Sequence, residues 1–212
     1  MPENLRQQVQ PTPTTKKVVA EPKLSSVRSD YLGEYENVKL GQELGTGGNK
    51  DVYSVQGRED LAIGILREGD IDELQVEIEE LQKLASEGLQ TIEVLGTTTH
   101  NNRPAIVMKK YAQGSKNIVQ SVGGKARRVD GANIRLLNQS SINDLGIIRQ
   151  LMVRKKIFID DLQFMIASDG HVYITDPIEV ILGYSKGATE NNLTMIDLLI
   201  EAAQQNIFEK GR

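Results

Sequence analysis

The sequence contains no cysteine and only two histidines among 212 residues. The absence of cysteine excludes disulfide bonds, thiolate metal ligands and cysteine nucleophiles. Two histidines are too few for a histidine-rich metal site. Both His100 and His171 lie next to predicted hairpin turns, where we expect solvent-facing side chains without a catalytic role. Aromatic residues are also scarce, at 4% of the chain, so the core must consist mainly of Leu, Ile and Val.

Long apolar segments are missing as well. No apolar run approaches the roughly 20 residues that a membrane-spanning helix needs, and the N-terminus lacks the apolar segment of a cleaved secretory signal. Lysine and arginine number 25 against 29 aspartates and glutamates, a formal net charge of -4. Such mild acidity gives no general attraction to nucleic acid or to anionic lipid, so we expect neither as a partner.

Residues 1–30 differ in composition from the rest of the chain. They contain four of the six prolines, separated by Gln, Thr, Ser and Lys, and they show no helical or strand periodicity. A segment of this kind buries too little apolar surface to offset its chain entropy, so we predict a disordered tail. A linker without function and an export signal both remain open for it. Residues 31–212 suffice for one domain of two lobes.

The ordered part predicts an α+β fold. In residues 31–109, apolar periodicity predicts three strands, one helix and a final hairpin: Tyr35–Leu44, Asp51–Gln56, Asp60–Leu66, Ile71–Glu87, Thr91–Thr99 and Pro104–Lys109. This order is typical of a small antiparallel sheet carrying one helix. The second lobe, residues 112–212, predicts short strands and two helices, at Ser141–Lys155 and Leu193–Phe208. Residues 112–138 are glycine-rich and basic and give no clear prediction.

A glycine-rich turn at residues 45–53, with the sequence G-T-G-G-N-K-D-V-Y, joins the first two predicted strands. Glycine lets a backbone turn sharply and approach phosphates without obstruction by a side chain. Gly45, Gly47 and Gly48 are therefore candidate phosphate-binding residues. A glycine-rich turn between strands is more often a plain hairpin, but the V-Y that follows favours the phosphate-binding interpretation.

Phosphoryl transfer also needs a cation on the phosphates. Its usual source is the lysine of a V-A-I-K strand, which here reads L-A-I-G at residues 61–64 and lacks that lysine. Lys50, which stands where the third glycine of the loop motif belongs, could supply the ammonium from the neighbouring strand. Arg67 is a weaker substitute. A protein without catalytic activity is the competing interpretation.

The predicted helix should supply a carboxylate that holds this lysine. Its candidates are Glu73, Glu77, Glu79 and Glu80. At about 100° per residue, Glu77 lies nearest the apolar stripe of the helix, and the others lie further round. We therefore expect Glu77 to face Lys50.

Two separated aspartates complete the candidate site. Asp161 precedes a predicted hairpin whose turn is S-D-G at residues 168–170, and Asp176 follows it. We expect Asp161 to accept or orient the proton of an acceptor hydroxyl, with Asp160 as the alternative. Asp176 and the amide oxygen of Gln163 are the candidate Mg²⁺ ligands, since Mg²⁺ prefers oxygen ligands.

Together these residues resemble a protein kinase of the eukaryotic type reduced to a small size, over about residues 35–178. The loop lysine resembles that of the with-no-lysine kinases. Three features depart from the usual pattern: I-D precedes Asp161 in place of H-R, no Asn follows at the expected offset, and P-I follows Asp176 in place of F-G. No A-P-E motif follows, so the activation segment and much of the usual C-lobe are missing.

The D-L-Q-F-M-I block, the T-D-P at residues 175–177 and the polar N-terminus are similar to the HopBF family of bacterial type III effectors. That resemblance implies a minimal ATP- and Mg²⁺-dependent protein Ser/Thr kinase. It would be secreted by a type III system into the host cytoplasm, where it would phosphorylate and inactivate the eukaryotic ninety-kilodalton heat-shock chaperone. We expect a monomer. A pseudokinase binding module, a kinase-like toxin with another acceptor and a small-molecule phosphotransferase remain alternatives.

Overall fold

The computed structural model describes residues 30–183 and 186–212. The predicted disordered tail therefore lies, apart from Asp30, outside the described residues. Within them no helix is both long and apolar enough to cross a bilayer.

The described residues form three α-helices and twelve β-strands. The helices are α1 (Ile71–Ser86), α2 (Gln139–Lys155) and α3 (Lys186–Lys210). The strands of the first lobe are β1 (Leu40–Thr46), β2 (Lys50–Val55), β3 (Arg58–Leu66), β4 (Val94–His100) and β5 (Arg103–Lys109). Those that follow are β6 (Gln113–Gly114), β7 (Val119–Val122), β8 (Lys125–Arg128), β9 (Ile157–Asp160), β10 (Gln163–Ile166), β11 (Val172–Thr175) and β12 (Glu179–Leu182).

The first lobe is a five-stranded antiparallel sheet in the order β1-β2-β3-β5-β4. Helix α1 covers one of its faces. Leu74, Ile78 and Leu81 are almost fully buried there against Leu66 and Ile106, as the apolar stripe of α1 predicts. The N-cap of α1 is Asp70, which accepts a hydrogen bond from the backbone N–H of Asp72. The predicted sheet with one helix is confirmed.

The second lobe has its own apolar core. Helices α2 and α3 pack in it against the short strands β9 and β10. Strands β11, β10 and β6 form one sheet, β12 and β9 a second, and β7 and β8 a third. Buried Leu145, Met152 and Leu199 come from the helices and meet Ile159 and Phe164 from the strands. An α+β fold of the protein-kinase type accounts for both lobes.

The element boundaries differ from the prediction at several places. Strand β1 begins at Leu40 rather than Tyr35, because Gly33–Tyr35 form a short 3-10 helix. Helix α3 begins at Lys186 rather than Leu193, and β4 begins at Val94 rather than Thr91. Residues 112–138, for which the sequence gave no clear prediction, contain the hairpin β7–β8. Its turn is formed by Gly123 and Gly124, which have φ of 59° and 74°, values that glycine adopts without steric cost. Strands of four residues are too short to show a clear alternation of apolar and polar residues, so the sequence does not predict β7 and β8.

The solvent-facing expectation was wrong for His100. Its exposed fraction is only 9%. Residues 30–37 lie along the outer edge of β4, the strand that ends at His100. The backbone N–H of Asn37 donates to Thr99 O, and the side-chain Oδ1 of Asn37 accepts the backbone N–H of Asn101. The His171 side chain is 44% exposed, with Nδ1 2.8 Å from Asp144 Oδ2. Asp144 also accepts the backbone N–H of Val172, so this contact fastens the β10–β11 hairpin to α2.

Backbone hydrogen bonds join the two lobes directly behind the candidate site. Ile92 donates its N–H to Ile174 O at 2.9 Å, and Ile174 donates to Gln90 O at 2.8 Å. Tyr111 and Tyr173 pack beside this junction with ring centroids 5.0 Å apart. Because Ile174 belongs to β11 and Gln90 closely follows α1, these bonds fix the end of β11 relative to α1.

A buried asparagine supports the strand that leads to the two neighbouring aspartates. Asn192 of α3 is fully buried, accepts the backbone N–H of Ile159 at 2.8 Å and donates to Ile159 O at 2.8 Å. Its side-chain amide thus satisfies one residue of the β9 edge as a neighbouring strand would.

We expect Asn192→Leu to lower the free energy of unfolding by about 2–4 kcal/mol, because both backbone groups of Ile159 would be left buried and unpaired. Chemical denaturation measures this loss. Asn143→Leu, at an exposed position of α2, is the control and should change stability by less than about 0.5 kcal/mol. Equal effects of the two substitutions would contradict this role of Asn192.

Candidate active site

The centre of the site is the side chain of Lys50, the first residue of β2. Strand register places Lys50 opposite Leu66 and Val52 opposite Gly64, on the sheet face that α1 covers. The lysine side chain is 8% exposed. An ammonium at this depth needs paired carboxylates to offset the loss of its hydration.

Glu77 of α1 and Asp176 after β11 provide those carboxylates. The Lys50 ammonium donates to Glu77 Oε2 in a short contact and to Asp176 Oδ1 at 2.8 Å. Burial lowers the pKa of Lys50, but the two carboxylates outweigh it and leave the pKa above its ordinary value. Burial also raises the pKa of Glu77, against the opposing effect of Lys50. The structure thus joins residues from three distant parts of the chain around one charge.

The other candidates for these two roles lie elsewhere. Glu79 accepts a hydrogen bond from Gln75, and Glu80 pairs with Lys83. The guanidinium of Arg67 binds Asp51 at 2.7 and 2.9 Å and reaches Gly48 O at 3.4 Å. Arg67 therefore holds the glycine turn rather than the buried carboxylates.

The position of the missing strand lysine is filled by the stem of Lys50. A Cβ atom built on Gly64 would lie 3.7 Å from Lys50 Cδ, 3.1 Å from Ile106 Cγ2 and 3.2 Å from Met108 Cε. The glycine at position 64 therefore leaves the space through which Lys50 reaches the two carboxylates. This geometry is what we expect if Lys50 takes the place of the missing strand lysine.

The glycine turn is open above its backbone. A Cβ atom would meet nothing within 4 Å at Gly45 and Gly48, and at Gly47 only Lys50 O at 3.5 Å. None of the three has a positive φ. Neither packing nor a positive φ requires glycine at these positions, and the glycines leave the backbone accessible to a ligand. These residues fit a nucleotide phosphate chain.

Asp161 and Asp176 both adopt the left-handed backbone conformation, with φ of 51° and 49°. Aspartate tolerates this region better than most residues, yet such positions cost free energy and concentrate at functional sites. Asp160 accepts the backbone N–H of Asp161 at 3.1 Å and so stabilises the turn between β9 and β10. Because the Asp160 side chain is engaged in this turn, Asp161 is favoured over Asp160 as the residue that contacts an acceptor.

Gln163 links the two aspartates. Its Nε2 donates to Asp161 Oδ2 at 2.5 Å, and its backbone pairs with Thr175, the residue before Asp176. The amide nitrogen thus orients Asp161, while the amide oxygen can serve a cation. The described residues contain no group of three or more His, Asp or Glu side chains suited to a metal ion. Mg²⁺ is often held by only one or two carboxylates together with waters and phosphate oxygens.

A comparison with known protein families decides the assignment. Residues 16–207 match the model of the type III secretion system effector HopBF1 kinase domain. The chain belongs to this family. It is thus a kinase, a phosphotransferase by reaction class, and an effector of the kind that type III systems secrete into host cells. The match begins inside the segment predicted as a tail, at residue 16.

Replacing the buried cation should make stability depend on pH through Glu77. In Lys50→Met, burial without a counter-charge raises the folded-state pKa of Glu77 further above its ordinary value of 4.5. The folded state then binds the proton more tightly than the unfolded state, so stability falls as pH rises through the folded-state pKa. We expect a loss of about 3 kcal/mol near pH 8 and a smaller loss near pH 5.

Denaturant titrations at both pH values measure this difference. The double variant Lys50→Met/Glu77→Gln carries no buried carboxylate at position 77, so it should lose the added pH dependence. If the single and double variants respond alike to pH, Glu77 is not the titrating group.

A lysine placed at position 64 of β3, where the V-A-I-K motif carries it, should support phosphate transfer in place of Lys50. Lys50→Gly should lower phosphate transfer by about 10²-fold or more, because a preorganised cation is lost. Adding Gly64→Lys, in the space that the shortened residue vacates, should restore part of the rate. Gly64→Met in the Lys50→Gly background is the control for size without charge, and a rate as high as that with lysine would contradict the replacement of the strand lysine by Lys50.

Proposed function

We propose that the protein is an ATP- and Mg²⁺-dependent protein Ser/Thr kinase that acts in the host cell cytoplasm. The observation that carries the proposal is the contact of one buried ammonium, Lys50, with Glu77 and Asp176 beneath an open glycine turn. Phosphoryl transfer depends mainly on positioning and charge stabilisation, and these groups are of the kinds it uses.

Each residue has a distinct part in the reaction. Lys50 supplies positive charge for the phosphates, and Glu77 holds its ammonium in place. Asp176 and Gln163 supply the carboxylate and amide oxygens for the divalent ion. Bound Mg²⁺ would neutralise part of the phosphate charge. Gly45, Gly47 and Gly48 give the phosphates access to the backbone, as in other glycine-rich loops.

Asp161 handles the acceptor. As the acceptor oxygen bonds to the γ-phosphorus, the bond from that phosphorus to the bridging oxygen breaks, and its electron pair leaves with the nucleoside diphosphate. Asp161 receives the proton of the hydroxyl. The hydrogen bond from Gln163 fixes the orientation of the carboxylate for this step.

For the acceptor we propose the eukaryotic ninety-kilodalton heat-shock chaperone, inactivated by phosphorylation on serine. Membership of the type III effector kinase family supports a host protein as the acceptor. The identity of that protein is what the resemblance of the sequence to the HopBF family implies.

Asp176→Ala should abolish incorporation of the γ-phosphate of ATP into the purified chaperone, while wild type labels it. The substitution removes both the metal ligand and one partner of Lys50. Asp130→Ala, an exposed position after β8, is the matched control and should label like wild type. Mass spectrometry of the product identifies the acceptor residue.

Equal labelling by wild type and Asp176→Ala would refute the catalytic assignment. A thermal shift with Mg-ATP separates the remaining alternatives, because a ligand of the folded state raises the melting temperature. A binding module without catalytic activity would show no shift and no turnover. A kinase with another acceptor would show the shift and no labelling of the chaperone.

A further inference from the structure

The acceptor side of the site carries an excess of negative charge. Asp160 ends β9, and Asp161 follows it in the turn before β10. Asp176 lies just beyond the end of β11, which pairs with β10. A bound nucleoside triphosphate would bring further negative charge close to these carboxylates. In residues 30–183 and 186–212, the ammonium groups paired with the carboxylates of the site are those of Lys50 and of one further residue, Lys116. Lys50 is already shared by two carboxylates.

Lys116 lies beside the residue assigned to the acceptor. Its Nζ is 3.9 Å from Asp161 Oδ2, and its side chain is 54% exposed. Lys116 also lines a cavity of about 200 Å³ together with Asp161, Gln163, Ser121 and Met195. The ammonium thus faces open space next to the proton-accepting carboxylate.

The backbone that carries Lys116 is fixed, although its side chain is 54% exposed. Ser115 is buried and its Oγ accepts the backbone N–H of Phe164 at 2.9 Å. On either side, Gly114 pairs with Met165 of β10, and Ile118 is fully buried. Lys116 is therefore attached directly to the strand that begins with Gln163.

A structural ion pair does not explain this lysine well. The distance of 3.9 Å is long for a charged hydrogen bond, and an exposed pair of this kind contributes about 0–1 kcal/mol. Residues of the turn itself, Ser115 and Ile118, already anchor it through burial. A role in the reaction accounts better for an exposed cation on a rigid support.

We propose that Lys116 is a second catalytic cation, whose ammonium binds the phosphoryl group as it moves from the nucleotide to the acceptor. This inference rests on the proposed function and deepens it. Lys50 serves the phosphates from the nucleotide side, and Lys116 serves the transferred group from the acceptor side. Lys116 stabilises charge on the equatorial oxygens, which a preorganised cation does most effectively in the transition state.

The test compares Lys116→Met and Lys116→Arg with the control Lys125→Met, an exposed lysine near the turn of the β7–β8 hairpin. We expect Lys116→Met to lower kcat for transfer to the purified chaperone by about 10²-fold, with the KM for ATP and the Mg-ATP thermal shift little changed. Lys116→Arg keeps the charge and should recover part of the rate. Lys125→Met should behave as wild type.

A second measurement is independent of the acceptor. Lys116→Met should weaken binding of ADP with aluminium fluoride, which imitates the transferring group, much more than binding of ADP alone. Equal weakening of both would overturn the proposal. So would a wild-type kcat in Lys116→Met, or an unchanged kcat with a raised KM for the acceptor, which would make Lys116 an acceptor-binding residue. If wild type transfers phosphate neither to the chaperone nor to casein, both the proposed function and the proposed role of Lys116 are wrong.

Discussion

The shared ion pair of Lys50 is the interaction on which the site depends. One ammonium, 8% exposed, contacts a glutamate 27 residues away and an aspartate 126 residues away in sequence. Burial of a charge is costly, and only the two carboxylates make it tolerable. The same contact requires the sheet, helix α1 and the end of β11 to meet at one point. It therefore couples the relative position of the two lobes to the readiness of the site for phosphates.

The surrounding fold supports this meeting point with few elements. Hydrogen bonds between Ile174 and the segment after α1 fix the end of β11. Asn192 satisfies the edge of β9, and buried Ser115 holds the turn that precedes β7 against β10. In each case a backbone group near a strand end receives a specific partner. Short strands cannot hold their own position by ladder hydrogen bonds alone, so a reduced lobe relies on such contacts.

The site also shows that a side chain from a neighbouring strand can reach the position of the missing strand lysine. Val52 and Gly64 are opposite each other in the β2–β3 register, and the stem of Lys50 runs past the vacant side-chain position of Gly64. Glu77 and Asp176 need a positive charge at one position, whether the lysine that provides it belongs to β2 or to β3. Geometry at the end of the side chain, rather than the sequence position of its Cα, is what the chemistry requires.

By itself the sequence predicted the order of elements in the first lobe and the residues that meet at Lys50. Those predictions rest on local periodicity and on residue types that only certain chemistry needs. The burial of His100, the early start of α3 and the β7–β8 hairpin came from the structure alone, because they depend on contacts with distant segments. Tertiary structure also brought Lys116 beside Asp161. The two are 45 positions apart, and no local pattern encodes a distance between side chains that only packing of the strands creates.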